Sequence, residues 1–484
     1  MFGLVTRPPL SDFVKAYDVR GLVPEQLDAD VAWALGAAFA EVVALPDGQS
    51  EIVIGHDMRE SSPDLSRAFA RGATSRGVDV VQIGLASTDG LYYASGALDR
   101  PGAMFTASHN PAAYNGIKLC RSGARPVGQD SGLAEIRDLA QELVDGSAEM
   151  RSVERDGQLS VRDVLGDYGS FLRGLVDLTG IRRLKVVVDA GNGMGGHTVP
   201  AVLGTAAGLD ELPLEIVPLY FELDGSFPNH EANPLEPSNL VDLQAAVLEH
   251  GADLGLAFDG DADRCFVIDE RGEAVSPSAI TAMIADREIS KESAGGRDAE
   301  NVRIVHNVIT SRAVPELIRD RGAEPVRTRV GHSFIKAEMA QHDAVFGGEH
   351  SAHYYFRDFW FADSGMLAAL HVLAAMGEQA RPLSEVMARF GTYASSGEIN
   401  STVADAGAAT EAVRAWAASQ GVDEDRLDGL TLTHDGGEGD PWWWLNLRAS
   451  NTEPLLRLNV EAVDGETMAR VRDDVLAIVR GTGQ

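Results

Sequence analysis

A serine, Ser108, stands in the run Thr106-Ala107-Ser108-His109-Asn110-Pro111, directly after the apolar stretch Ala103-Met104-Phe105. Strand ends that open onto polar turns are where α/β enzymes place reacting groups. His109 adjoins this serine, and Lys118 follows ten positions on. A nearby base or cation compensates for the weak nucleophilicity of a hydroxyl, so Ser108 could carry a covalent intermediate. Ser, Asn and Pro are also ordinary turn formers, and the hexapeptide alone leaves both readings open.

A second run, Phe258-Asp259-Gly260-Asp261-Ala262-Asp263-Arg264, sets three carboxylates at alternate positions. In an extended segment these would share one face. Like charges that close repel unless a cation sits among them. Hard oxygen donors suit Mg²⁺, which keeps its remaining positions for water or phosphate oxygens. A calcium-binding EF-hand competes, since Asp259, Asp261, Asp263 and Glu270 match its positions 1, 3, 5 and 12. Its sixth position requires glycine. Arg264 stands there, and Cys265-Phe266-Val267-Ile268 reads as a strand. The EF-hand is therefore excluded, and a solvated acidic turn remains the plain alternative.

Gly347-Gly348-Glu349-His350-Ser351-Ala352-His353 gathers a carboxylate, a hydroxyl and two imidazoles. Glu349 and Ser351 can accept from and donate to vicinal hydroxyls, as a sugar grip requires. A zinc site would need a third close ligand and a zinc-binding helix pattern, and neither is present. His350 reads as a satisfied polar group. Arg448-Ala449-Ser450-Asn451-Thr452-Glu453-Pro454 joins a guanidinium, two hydroxyls and an amide on a turn. Those groups make a phosphate nest. Without a Gly-x-x-x-x-Gly-Lys pattern it is no nucleotide P-loop, and Ser-Asn-Thr is also a common helix cap.

These runs need elements to hold them. Residues 51–57, a helical stretch over 63–76 and residues 78–84 read as strand, helix, strand. The order recurs at 184–193, a helix after Thr198, and 214–219, and again at 302–307, 311–320 and 324–329. Apolar, β-branched runs of this kind are buried parallel strands. Three such units predict three related α/β domains in tandem. The C-terminal part differs: helical segments at 408–420 and 465–480 flank the run 442–447, which predicts a smaller α+β domain. The tryptophans of that run read as strand packing. Residues 147–157 and 380–391 read as linkers.

Composition narrows the function classes. At 484 residues the chain exceeds one ordinary core. Its net charge of −32 excludes the basic footprint of a nucleic-acid binder. An anionic substrate would need local arginines and lysines to overcome that field. No apolar run reaches a membrane span, and the first residues lack a signal-peptide core. Two cysteines, Cys120 and Cys265, cannot build a disulfide framework. A cytoplasmic protein with both as small buried hydrophobes is expected.

Together the four runs resemble the α-D-phosphohexomutase family, most closely its bacterial phosphomannomutase/phosphoglucomutase branch. Residues 106–111 resemble its phosphoserine loop and 259–264 its magnesium loop. Residues 348–353 resemble its sugar-selecting loop and 448–454 its phosphate-binding loop. Further matches are Tyr17-Asp18-Val19-Arg20-Gly21, Asp57-Met58-Arg59-Glu60-Ser61-Ser62, Asp224-Gly225-Ser226-Phe227-Pro228-Asn229-His230 and Gly331-His332-Ser333. The resemblance implies an α/β fold of three tandem related α/β domains with mixed sheets. A smaller C-terminal α+β domain completes a ring around a central cleft. The expected division is 1–156 with the phosphoserine loop, 157–273 with the metal loop, 274–387 with the sugar loop and 388–484 with the phosphate loop.

The implied activity is that of a phosphomannomutase, interconverting mannose 6-phosphate and mannose 1-phosphate and also the glucose phosphates. Ser108 would carry the phosphoryl group and a hexose 1,6-bisphosphate would be the intermediate and activator. Mg²⁺ would be held by Asp259, Asp261, Asp263 and a phosphoserine oxygen. Arg20, Lys118 and Arg264 would neutralise the transferring group, with His109 orienting or neutralising the phosphoserine. His332 and His353 are the candidate acid–base groups. Glu349, Ser351 and His353 would contact the sugar, and Arg448, Ser450, Asn451 and Thr452 the phosphate that does not react. The implied partners are hexose phosphates, with no nucleic acid and no membrane, and the chain would be a monomer or dimer. One feature departs from the family pattern. A lysine is expected shortly after the third domain's first strand, but Asn307-Val308-Ile309-Thr310-Ser311 has none, and Ile309 stands in its place. The rival readings are a phosphoglucosamine mutase, a dedicated phosphoglucomutase and a catalytically silent phosphosugar-binding protein.

Overall fold

Runs of β-branched residues form the strands, and glycines let the covering helices close on one another. The computed structural model describes residues 8–15, 17–148, 150, 152–391, 393–449 and 455–481. The chain divides into two compact units, one of residues 1–275 and 351–386, the other of residues 276–350 and 387–484.

The first unit holds two mixed sheets. In one, the parallel strands Gly102–Phe105, Glu51–His56, Asp79–Leu85 and Leu159–Val161 lie in that order. Tyr114–Arg121 and then Val19–Leu22 extend it antiparallel beyond Gly102–Phe105. Helices Ala29–Phe39 and Ser62–Thr74 pack together on this sheet's core through Gly36 and Gly72. A Cβ on Gly36 would sit 2.1 Å from the Phe69 carbonyl oxygen, and one on Gly72 would sit 2.0 Å from that of Trp33. Only bare backbone fits there. The second sheet runs Ala274–Val275, Cys265–Ile268, Leu254–Phe258, Leu184–Asp189, Leu214–Leu219, the last three parallel. The helix beside it is Gly195–Val202, which starts before Thr198, earlier than expected. The apolar helix Gly365–Gly377 is buried along nearly its whole length, and Ser364 caps it by accepting from Leu367 N–H.

The second unit holds the parallel trio Glu324–Thr328, Arg303–Asn307 and Phe346–Gly348. It also holds a wholly antiparallel sheet, Ala394–Ser401, Leu456–Ala462, Trp443–Ala449, Leu430–His434, Asp423–Asp425. Helices Ala406–Ala417 and Gly465–Gly481 cover that sheet around a core that includes Trp443. Three strand–helix–strand units and a different C-terminal sheet are therefore present, as the periodicity predicts. The linker expected at 380–391 instead contains the short helix Leu383–Met387, with Leu383, Val386, Met387 and Phe390 buried. Among the described residues, no helix is long and apolar enough to cross a membrane. Both cysteines are free and buried.

Candidate active site

Ser108 lies in the turn that leaves strand Gly102–Phe105, with φ of 50°. A left-handed serine costs about 1–2 kcal/mol, so its surroundings must hold it. Its N–H donates to Thr106 Oγ1 at 2.9 Å, and its side chain is nearly buried. The Ser108 hydroxyl donates to Asp259 Oδ2 at 2.8 Å, with His109 Nδ1 3.2 Å away.

The aspartate run links strands Leu254–Phe258 and Cys265–Ile268. It is a tight turn with Ala262 at φ of 59°, not the extended segment that its alternation suggests. The turn still converges the three carboxylates: one oxygen from each of Asp259, Asp261 and Asp263 lies within 4.8 Å of the others. Gly260 is needed between them, because a Cβ there would meet the Ser108 carbonyl oxygen at 2.4 Å. The serine turn and the acidic turn thus touch backbone to backbone.

All three aspartates are buried, which rules out the solvated-turn alternative. Lys118 Nζ donates to Asp261 Oδ2 at 2.7 Å and to Asp263 Oδ2 at 2.5 Å. Arg264 Nε donates to Asp259 Oδ2 at 2.9 Å, and its Nη2 donates to His109 Nδ1 at 2.5 Å. Burial pushes the Asp259 carboxyl up to about 7. Arg264 opposes this, and the neighbouring Asp263 and Asp261 reinforce it. Burial also works against ionised Asp263, but Lys118 and His353 hold its carboxyl down at about 2. Oδ1 of Asp261 and Oδ1 of Asp263 are buried without a hydrogen-bond donor. Two orphaned carboxylate oxygens beside a third carboxylate form a hard-oxygen donor set, and a divalent cation fits it.

His109 does not sit there as a cation. Burial, then Arg264 and Arg20, push its pKa well below the ordinary histidine value. Its Nδ1 accepts from Arg264, so charge at the serine is balanced by Arg264 and Lys118, not by this imidazole. Arg20 donates from Nη1 to Asn110 Oδ1 at 2.6 Å and from Nε to Asp18 Oδ2 at 2.8 Å. His353 pairs in a β-bridge with Arg264. Its Nδ1 is 3.0 Å from Ser351 Oγ, and its Nε2 is 3.6 Å from Asp263 Oδ1.

Ser108, His109, Lys118, Arg20, Arg264, the three aspartates, Ser351 and His353 thus all belong to the first unit. His332, Glu349 and Arg448 belong to the second. His332 opens helix His332–His342 after Gly331, whose φ is 135°. Glu349 is buried, and its neighbour His350 is half-buried, with its Nδ1 3.3 Å from Ser278 Oγ. Burial lowers the His350 pKa, in keeping with a satisfied polar group. Arg448 ends strand Trp443–Ala449 and donates to Glu398 Oε2 at 2.8 Å. Ser450, Asn451 and Thr452 lie outside the described residues. Ile309 is buried, its N–H donating to Asn307 Oδ1. Arg312, close by in sequence, pairs with Glu316 at 2.7 Å and lies over Trp442.

Two residues that contact this site escaped the sequence reading. Thr88, at the start of helix Thr88–Leu98, donates from Oγ1 to Asp261 Oδ2 at 2.5 Å and from its N–H to the Asp261 carbonyl. No local pattern marks it. Arg59 donates to four carbonyls of the serine turn and its exit. The run at 57–62 contained it without indicating a task.

The chain matches the phosphoglucomutase/phosphomannomutase alpha/beta/alpha domain I over residues 12–144. It matches domain II over 167–272, domain III over 276–393 and the C-terminal domain over 398–478. It is 38% identical over 452 residues to a phosphomannomutase of Salmonella typhimurium, covering 93% of this chain and 94% of the relative. It is 39% identical over 470 residues to a protein of Xanthomonas campestris pv. campestris named for phosphohexose mutases, covering 96% and 99%. A solved phosphoglucomutase/phosphomannomutase family protein of Burkholderia thailandensis superposes with a TM-score of 0.82 at 32% identity, covering 97% of each chain.

Proposed function

Because this chain belongs to the phosphoglucomutase/phosphomannomutase family, we propose that it interconverts mannose 6-phosphate and mannose 1-phosphate, and the corresponding glucose phosphates, through a phosphoserine at Ser108 and a hexose 1,6-bisphosphate. The observation that carries this reading is the Ser108 hydroxyl set 2.8 Å from a buried carboxylate in a trio flanked by Lys118 and Arg264. Phosphoryl transfer needs alignment and charge neutralisation more than covalent help, and this arrangement supplies both.

Asp259, Asp261 and Asp263, with a phosphoserine oxygen, would hold Mg²⁺, which draws negative charge off the transferring group when bound. Each half-reaction balances simply. A sugar hydroxyl oxygen bonds to phosphorus as the bond from phosphorus to Ser108 Oγ breaks; the sugar hydroxyl proton passes to a base, and Ser108 Oγ takes up a proton. After the bisphosphate turns over in place, Ser108 Oγ gives up its proton as it bonds to the other phosphoryl group, and the sugar oxygen released from phosphorus takes one up. His353 and His332 are the imidazoles we assign to that proton. Arg20, Lys118 and Arg264 steady the charge on the transferring group, while His109, kept neutral, orients Ser108 Oγ. Glu349, Ser351 and His353 grip the sugar. Arg448, Ser450, Asn451 and Thr452 hold the idle phosphate, and Arg448 would exchange Glu398 for it.

In this reading the four segments 1–156, 157–273, 274–387 and 388–484 each contribute one loop. Two free, buried cysteines suit a reducing cytoplasm. The direct test compares mannose, glucose and glucosamine 1-phosphates side by side. Faster turnover of the mannose and glucose compounds is expected. Much faster turnover of the glucosamine compound would overturn the assignment.

A further inference from the structure

Two sequence motifs, at residues 57–62 and 224–230, have no part in the chemistry above, yet they meet at one side chain. Arg59 is almost fully buried. Its Nη1 donates to the carbonyls of Pro111 and Tyr114, both at 3.0 Å. Its Nη2 donates to the carbonyls of Ser108 at 2.9 Å and Asn110 at 2.6 Å. All four terminal hydrogens of the guanidinium are therefore spent on the backbone of one turn, the turn that carries Ser108. The fork is itself held: Asp57 Oδ2 lies 3.3 Å from Nε, and Asp57 Oδ1 accepts from Arg59 N–H and from the Ser62 hydroxyl.

The 224–230 motif forms the other side. The Phe227 ring centroid lies 5.1 Å from the guanidinium carbon. Gly225 lies so close that a Cβ there would meet Arg59 Cα at 2.7 Å. The left-handed Ser108 is thus held at its carbonyl as well as by its bonds to Thr106 and Asp259. Lysine cannot replace this fork, since three donors on one nitrogen cannot span four carbonyls in a plane.

We propose that Arg59 is a positioning residue that clamps the Ser108 turn in its left-handed conformation, with Phe227 packed against its guanidinium and Gly225 against its backbone. The clamp sets where Oγ points and touches no substrate. It rests on the reading of Ser108 as phosphoryl carrier.

The test uses the full-length protein with Mg²⁺ and a hexose 1,6-bisphosphate. Phosphoryl uptake on Ser108 is timed by intact mass, alongside kcat and KM for the hexose monophosphate. Arg59→Lys should slow uptake and kcat about 100-fold, with KM and Mg²⁺ affinity within threefold of wild type. A destabilised but correctly posed site would instead keep kcat for the folded fraction, measured by active-site titration. Gly225→Ala, which only pushes on Arg59, should give the same split at about tenfold and keeps the test open if Arg59→Lys does not fold. Wild-type uptake in a folded Arg59→Lys or in Gly225→Ala would overturn the clamp. A wild-type protein that never gains a phosphoryl group on Ser108 would overturn the underlying reading, which is a different and recognisable outcome.

Discussion

Ser108 and the aspartates show how far single residues can be tuned by what is packed around them. Burial alone would protonate all three carboxylates. Lys118 opposes that for Asp261 and Asp263, joined by Thr88 at the first and His353 at the second, while Asp259, opposed chiefly by Arg264, is left at about 7, next to the serine. A divalent cation would remove this tension. Asp261→Asn should weaken Mg²⁺ binding by at least tenfold and lower turnover by a similar factor, with the thermal midpoint little changed. Calorimetric titration of Mg²⁺ checks it, and unchanged affinity would remove Asp261 from the metal site. Thr88→Val deletes only the hydroxyl that orients Asp261. It should shift the Mg²⁺ dependence of the rate in the same direction by about tenfold, without altering the response to sugar.

At the scale of elements, parallel strands deliver Ser108 and Asp259 at their carboxyl ends, where an α/β sheet exposes its loops. Much of this was legible in the chain. The β-branched runs marked the strands, and the close-spaced motifs marked the serine and acidic turns. What was not legible depends on contacts made across long stretches of chain. Thr88 reaches Asp261 over 173 positions, and Arg59 reaches the Ser108 carbonyl over 49. The convergence of the aspartates was anticipated for the wrong reason, since a left-handed Ala262 and a tight turn achieve it, not strand alternation. The helices that support the first sheet touch at Gly36 and Gly72 with no room for a methyl group. Gly36→Ala should destabilise by about 1–3 kcal/mol through overpacking. Urea unfolding should register that loss while KM stays the same. Full stability in the variant would mean that the helices can separate freely.

For the whole molecule, 73 acidic against 41 basic residues surround a site meant for phosphate esters. The positive charge is therefore local: Arg20, Lys118 and Arg264 face the acidic turn. Stability should also depend on pH in a defined window. Burial lowers His306 to about 4, below the ordinary 6.5. The unfolded chain therefore takes up this proton before the folded one does. The stability tied to His306 is fully present above pH 6.5 and is lost as pH falls toward 4. Thermal midpoints between those values should fall less steeply in His306→Gln than in wild type, and equal slopes would contradict the assignment. The central claim is that Ser108 carries the phosphoryl group. Incubating the protein with Mg²⁺ and a hexose 1,6-bisphosphate and mapping the product by peptide mass spectrometry tests it most directly. The account predicts one phosphoryl group, on Ser108, that is transferred away on adding hexose monophosphate. No gain in mass by a protein whose Ser108 is free at the outset, or a phosphoryl group on any other residue, would contradict it.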